Sequence, residues 1–154
     1  MMRLIISVSF LFFVNFSFTQ VNWIQLEKLS DSLILKPKPV FVFIHAPWCG
    51  YCRMMEHNVF SDHEISSQLN RNYYCISLDA EKPDTLSYGG IDYPPEQQPN
   101  GKLINSLARR IGEIDGKLNY PTSVFLDSKL IVQAQYASYL KKSDLLYVLK
   151  TLTK

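Results

Sequence analysis

Cys49 and Cys52 stand two residues apart in the run Ala46-Pro47-Trp48-Cys49-Gly50-Tyr51-Cys52-Arg53. Two cysteines at that spacing form a thiol–disulfide site: the second sulfur closes a small ring with the first, and the pair shuttles two electrons. Other cysteine chemistry fits less well. A closed zinc site needs four ligands, commonly two close pairs, and no second Cys or His pair follows at ligand spacing. No metal and no cofactor are therefore expected. A peroxidase would want a conspicuous peroxidatic loop. A Cys-His hydrolase would lose its nucleophile to the neighbouring cysteine.

The surrounding residues say how such a pair is held. Val40-Phe41-Val42-Phe43-Ile44 is apolar without a break and rich in β-branched and aromatic residues, the pattern of a central strand covered on both faces. A helix is expected to start at the cysteines. The strand aims the first sulfur outward, and the helix start supplies N–H groups and a partial positive charge that favour a thiolate. That helix should turn Met54, Met55, Val59 and Phe60 inward and stop near Phe60. Ser61-Asp62-His63-Glu64 has capping-box spacing, with Ser61 as cap, ahead of a second helix carrying Ile65 and Leu69.

Upstream, apolar residues between Val21 and Leu35 fall mostly on one helical face, and Pro37 and Pro39 end that helix. Downstream, Tyr73 to Leu78 reads as a strand. Residues 80–102 form a Pro- and Gly-rich insertion whose Tyr88 and Tyr93 either contact a partner or pin the loop to the body. Helical spacing resumes at Leu103, Leu107 and Ile111. Ser123 to Leu126 and Leu130 to Tyr136 read as a hairpin turned at Asp127-Ser128. Ser143 caps a last helix. The order is one α/β domain, with no repeat and no second domain.

The sequence has 154 residues, 47% of them hydrophobic, with formal net charge +2. That is enough for one real core. No basic stripe is interleaved with aromatics, so nucleic acid is not an expected partner. Met1-Met2-Arg3 followed by the apolar stretch Leu4 to Phe18, with small residues at Ser17 and Thr19, reads as a signal peptide over residues 1–19. The apolar stretch, roughly 15 residues, is short of the ~20 a spanning helix needs. Cleavage would leave residues 20–154, no membrane span, and a periplasmic or secreted protein in an oxidising compartment. The odd Cys75 lies in a strand pattern and reads as a small core hydrophobe.

With Trp48-Cys49-Gly50-Tyr51-Cys52 at a strand–helix junction, Tyr120-Pro121-Thr122 before a later strand, and this element order, the chain resembles the thioredoxin superfamily. The stretch from Trp48 through Glu56-His57-Asn58-Val59-Phe60-Ser61-Asp62 looks most like exported thioredoxin-like proteins. These include the C-terminal domain of membrane thiol:disulfide reductases. The resemblance implies a thioredoxin-like fold, a central mixed β-sheet flanked by helices. It implies Cys49 as attacking thiolate, Cys52 as resolving thiol, Pro121 as a cis-proline, and a substrate-binding edge at Trp48, Tyr120 and Pro121.

Two departures stand out. Gly-Tyr lies between the cysteines where cytosolic thioredoxins have Gly-Pro. Phe43 stands six residues before Cys49, where thioredoxins carry a buried aspartate. Glu56 and His45 become the candidates for proton transfer to Cys52. Two functions follow. One is an exported thiol–disulfide oxidoreductase, as reductase or isomerase, acting on disulfides of exported proteins and re-reduced by a membrane electron donor. The other is a binding module that presents the Tyr120–Pro121 edge and the insertion around a static Cys49–Cys52 disulfide.

Overall fold

A computed structural model describes residues 20–152. The signal-peptide reading of residues 1–19 lies outside them. Strands β1 (Val40–His45), β2 (Tyr74–Asp79), β7 (Thr122–Leu126) and β8 (Val132–Tyr136) form one sheet in the order β2-β1-β7-β8. β1 runs parallel to β2 and antiparallel to β7, so the sheet is mixed.

Alternation along β1 divides the core in two. Phe41 and Phe43 point to the face covered by α2 (Gly50–Asn58), α3 (His63–Asn72) and α5 (Lys142–Leu152), where they meet Phe125, Met55, Leu69 and Leu145. Val40, Val42 and Ile44 point to the other face, under α1 (Leu29–Leu35) and α4 (Ser106–Gly112). The first five residues of β1 are all buried, as a strand covered on both sides requires.

The insertion is more regular than its composition suggests. It holds two small antiparallel ribbons, β3 (Leu86–Tyr88) with β4 (Ile91–Tyr93), and β5 (Pro95–Gln97) with β6 (Leu103–Asn105). Tyr88 and Tyr93 pack on the second core, so they pin the insertion to the body. Leu103 accordingly sits in a strand, and the helix begins only at Ser106. Between β7 and β8, Asp127 Oδ1 accepts from the N–H groups of Lys129 at 2.8 Å and Ile131 at 2.9 Å. This side-chain turn reverses the chain where the sequence placed it.

Several local expectations are corrected. Residues 21–25 are extended: Trp23 bridges Cys75, and only a short 3-10 turn at Leu26–Lys28 precedes α1. Edge pairing with β2 offers those backbone groups partners that an isolated helix would not. Met54 is exposed, whereas Met55, Val59 and Phe60 are buried. Asp62, not Ser61, caps α3, its Oδ1 accepting from Glu64 N at 3.0 Å and Ile65 N at 3.2 Å. Ser61 instead donates its hydroxyl to the His57 carbonyl. Ser143 lies inside α5, and Asp144 reaches back to the N–H of Lys141 at 3.1 Å.

Asp62 also pairs with Lys142 at 2.9 Å, joining the start of α3 to the start of α5. The hydrogen bond from Lys142, helped by the two capping N–H groups, holds the Asp62 carboxyl below its ordinary range. Its contribution is therefore present above the unfolded carboxylate pKa and lost as pH falls through the lower folded value. Asp62→Ala should lower the unfolding free energy in urea by about 1 kcal/mol at neutral pH. The difference from wild type should shrink on acidification below the ordinary carboxylate range.

Candidate redox site

β1 ends at His45, and the chain turns through Ala46-Pro47-Trp48 into α2. The N–H of Cys49 donates to the Ala46 carbonyl at 3.0 Å, and Arg53 Nη1 donates to the Pro47 carbonyl at 2.9 Å. Cys49 is the N-cap of α2, its backbone extended at φ −72° and ψ 104°. Its Sγ accepts from the N–H of Cys52 at 3.0 Å. A sulfur in that place feels the unsatisfied donors of the helix start, the arrangement that favours thiolate over thiol.

The two sulfurs form a disulfide, with S–S 2.00 Å and Cα–Cα 5.2 Å. Cys49 is 4% exposed and Cys52 2%. The opening onto the pair is thus narrow in the disulfide form, tighter than an outward-aimed first sulfur suggests. Trp48 at 59% and Tyr51 at 63% exposed stand beside it. The Trp48 ring meets Tyr120 edge-on at 5.8 Å, and Tyr51 lies 6.2 Å from Tyr139.

The Tyr120–Pro121 peptide is cis. Pro121 is buried at the head of β7, and Tyr120 packs against the core that contains both cysteines. Burial, with the Glu81 and Asp79 carboxylates adding to it, pushes the Tyr120 phenol well above its ordinary range.

Phe43 fills the place of a buried acid and is fully enclosed. It meets Phe60 edge-on at 4.8 Å and stacks on His45 at 5.5 Å. The two candidates for proton transfer sit on different elements, His45 at the end of β1 and Glu56 on α2. His45 Nε2 hydrogen-bonds Ser77 Oγ at 3.0 Å, which turns the ring toward β2. Glu56 is exposed on α2 and borders a groove of about 290 Å³ with Trp23, Phe60 and Ser77. Neither side chain hydrogen-bonds a cysteine among the described residues. No cluster of His, Cys, Asp or Glu that could hold a metal ion occurs among those residues.

Sequence reasoning missed Glu81 and Lys102. Glu81 Oε2 accepts from Trp48 Nε1 at 2.7 Å, and Lys102 Nζ lies 4.5 Å from the Trp48 ring centroid. An acid just past a strand and a lysine inside a Pro/Gly-rich stretch carry no spacing signal, because only the path of the insertion brings them to Trp48.

Residues 31–153 match the family described as Thioredoxin-like domain, and the chain belongs to that family. Its sheet, flanking helices and cysteine pair are those of the disulfide-oxidoreductase fold. Among curated relatives it is 29% identical over 75 residues to mouse spermatogenesis-associated protein 20, a match spanning 47% of this chain and 10% of that protein. It is 27% identical over 146 residues to an uncharacterized protein of Haemophilus influenzae, covering 84% of this chain and 86% of that one. Among solved structures it resembles a thioredoxin from Thermus thermophilus, with TM-score 0.58 and 22% identity over 87% of this chain and 88% of that one. It also resembles the C-terminal domain of DsbD from Neisseria meningitidis in its reduced form, with TM-score 0.52 and 15% identity over 80% and 89% of the two chains.

Cys75 is apart from this chemistry. It is buried in β2, and desolvation pushes its thiol up to about 12. In the reduced folded protein at pH 8, iodoacetamide should modify Cys49 and leave Cys75 unlabelled until denaturant is added. Peptide mass mapping reads both outcomes.

Proposed function

We propose that the chain is an exported thiol–disulfide oxidoreductase that reduces disulfides in other exported proteins. The observation that carries this reading is the Cys49–Cys52 disulfide at the start of α2, with the Cys52 N–H on the Cys49 sulfur. Tyr120, packed against the core that holds both cysteines and edge-on to Trp48, supports it.

In the reduced protein the Cys49 thiolate attacks one sulfur of a substrate disulfide. The Cys49–substrate bond forms, the substrate S–S bond breaks, and the other substrate sulfur leaves as a thiolate that takes a proton. Cys52 then loses its proton and attacks the Cys49 sulfur. The internal disulfide forms, and the second substrate thiolate is released. Two electrons have passed from the pair to the substrate. Trp48, Tyr120 and Pro121 form the edge along which an extended substrate segment lies. With Phe43 in the acid's place, the Cys52 proton leaves to water, with Glu56 or His45 as the receiving group.

Re-reduction needs an outside donor, for which a membrane thiol carrier is the natural partner in an exported setting. Residues 1–19 act as the signal peptide in this reading and residues 20–154 as the working domain, periplasmic or secreted. No helix among the described residues is long and apolar enough to cross a membrane.

The low exposure of both cysteines favours one rival, a locked structural disulfide within a binding module. The two part experimentally. Cys52→Ala should trap substrate proteins as mixed disulfides through Cys49, released by dithiothreitol, while Cys49→Ala traps none. The pair should equilibrate with glutathione or thioredoxin at a potential between about −270 and −120 mV. A value below about −300 mV, with no trapping, would establish the locked disulfide instead.

A further inference from the structure

The insertion leaves the sheet at the end of β2 and comes back to the place it left. The N–H of Ala80 donates to the His45 carbonyl at 2.9 Å, and the N–H of Asn105 donates to the Ala80 carbonyl at 2.7 Å. The entry stem therefore stands on the end of β1, the strand that runs into the redox turn, and the exit stem is tied to the entry stem. Asn105 is fully buried and fixes the exit, its side-chain N–H reaching the Tyr93 carbonyl at 2.9 Å and its oxygen accepting from Leu107 N at 2.9 Å.

Side chains from the two stems converge on Trp48. Glu81 divides its carboxylate, Oε2 taking the indole N–H at 2.7 Å and Oε1 facing Lys102 Nζ at 3.5 Å. The Lys102 ammonium lies over the indole ring at 4.5 Å, within reach of the ring's negative face. The indole is thus gripped at its N–H and over its ring, while Tyr120 meets it edge-on. A tryptophan as exposed as this one has little packing of its own to select one rotamer. The Glu81 side chain, 17% exposed, is more enclosed than the indole it holds, and Lys102 is the cation that neutralises it.

We propose that Lys102 is a positioning residue through which the insertion holds Trp48 as a preformed wall beside Cys49, giving the site its preference for extended polypeptide disulfides over small ones. This rests on the thiol–disulfide reading above. A polypeptide substrate must lie against Trp48 and Tyr120 over several residues, so a mobile indole adds an ordering cost to its binding. A small disulfide need only bring a sulfur to Cys49 and is indifferent to that wall.

The test compares wild type, Lys102→Met and Lys102→Arg in the full mature chain. Methionine keeps much of the stem and removes the charge; arginine keeps the charge and the stacking. Initial rates are measured with insulin and with hydroxyethyl disulfide under excess reductant. Solvent exchange of the Trp48 indole N–H is followed by 15N NMR, which has two indole signals to assign because the chain has two tryptophans. Lys102→Met should raise KM for insulin about five-fold, the scale of one newly mobile side chain. It should leave kcat and the small-disulfide rate within about two-fold and speed indole exchange, and Lys102→Arg should restore all three.

An active wild type with an unchanged insulin KM in Lys102→Met overturns the positioning role alone. Equal losses on insulin and hydroxyethyl disulfide overturn it too, because Lys102 would then act on the thiolate or on stability. A wild type that reduces neither disulfide overturns the redox reading and this role together.

Discussion

The double burial of β1 is the constraint on which the redox end depends. Its side chains are locked between two apolar cores, so the point where the strand leaves the sheet is fixed. That end anchors two things at once. The Ala46 carbonyl receives the N–H of Cys49, and the His45 carbonyl receives the N–H of Ala80. The cysteine turn and the insertion thus share one rigid footing. A shift of one residue in β1 would exchange its two faces, and the turn and the insertion would move with it.

Phe43 shows how the same strand shapes the chemistry. Enclosing a phenylalanine stabilises the fold by about 1.5–3 kcal/mol, and its edge contact with Phe60 adds to that. A carboxylate in the same apolar setting would be desolvated and driven toward its neutral form. The core that holds both cysteines is thus aromatic at this position, with Phe41 and Phe43 each in ring contact with Phe60. Glu56 and His45 border separate solvent grooves, and neither groove is lined by Cys49 or Cys52. Phe43 exchanges an acid–base aid for packing, a different balance from the one the superfamily resemblance implies at that position.

Legibility followed the range of the interactions. The continuous apolar run of β1, the cysteine spacing and the Asp127 turn depend on near neighbours, and each appears where its residues suggest. Local patterns misled where two solutions lay close together. Ser61 and Asp62 are both good caps, and the phase of α3 against the core selects Asp62. Residues 21–25 carry helical spacing, yet β2 offers Trp23 a bridge at Cys75, and pairing wins over periodicity. Met54 and Met55 are alike in composition, and the orientation of α2 on the sheet buries only one.

Residue order alone was enough to establish that this chain has a two-cysteine redox motif at a strand–helix junction, because the junction is written in hydrophobicity over a few consecutive residues. The cis peptide ahead of Thr122 came from resemblance rather than from any local pattern. What belonged to the tertiary structure was the surroundings of the sulfurs: how little of them is open, which way His45 turns, and the meeting of Glu81 and Lys102 on Trp48. Those contacts join residues far apart in the chain through hydrogen bonds and ring stacking, and their geometry exists only once both cores have closed on the sheet.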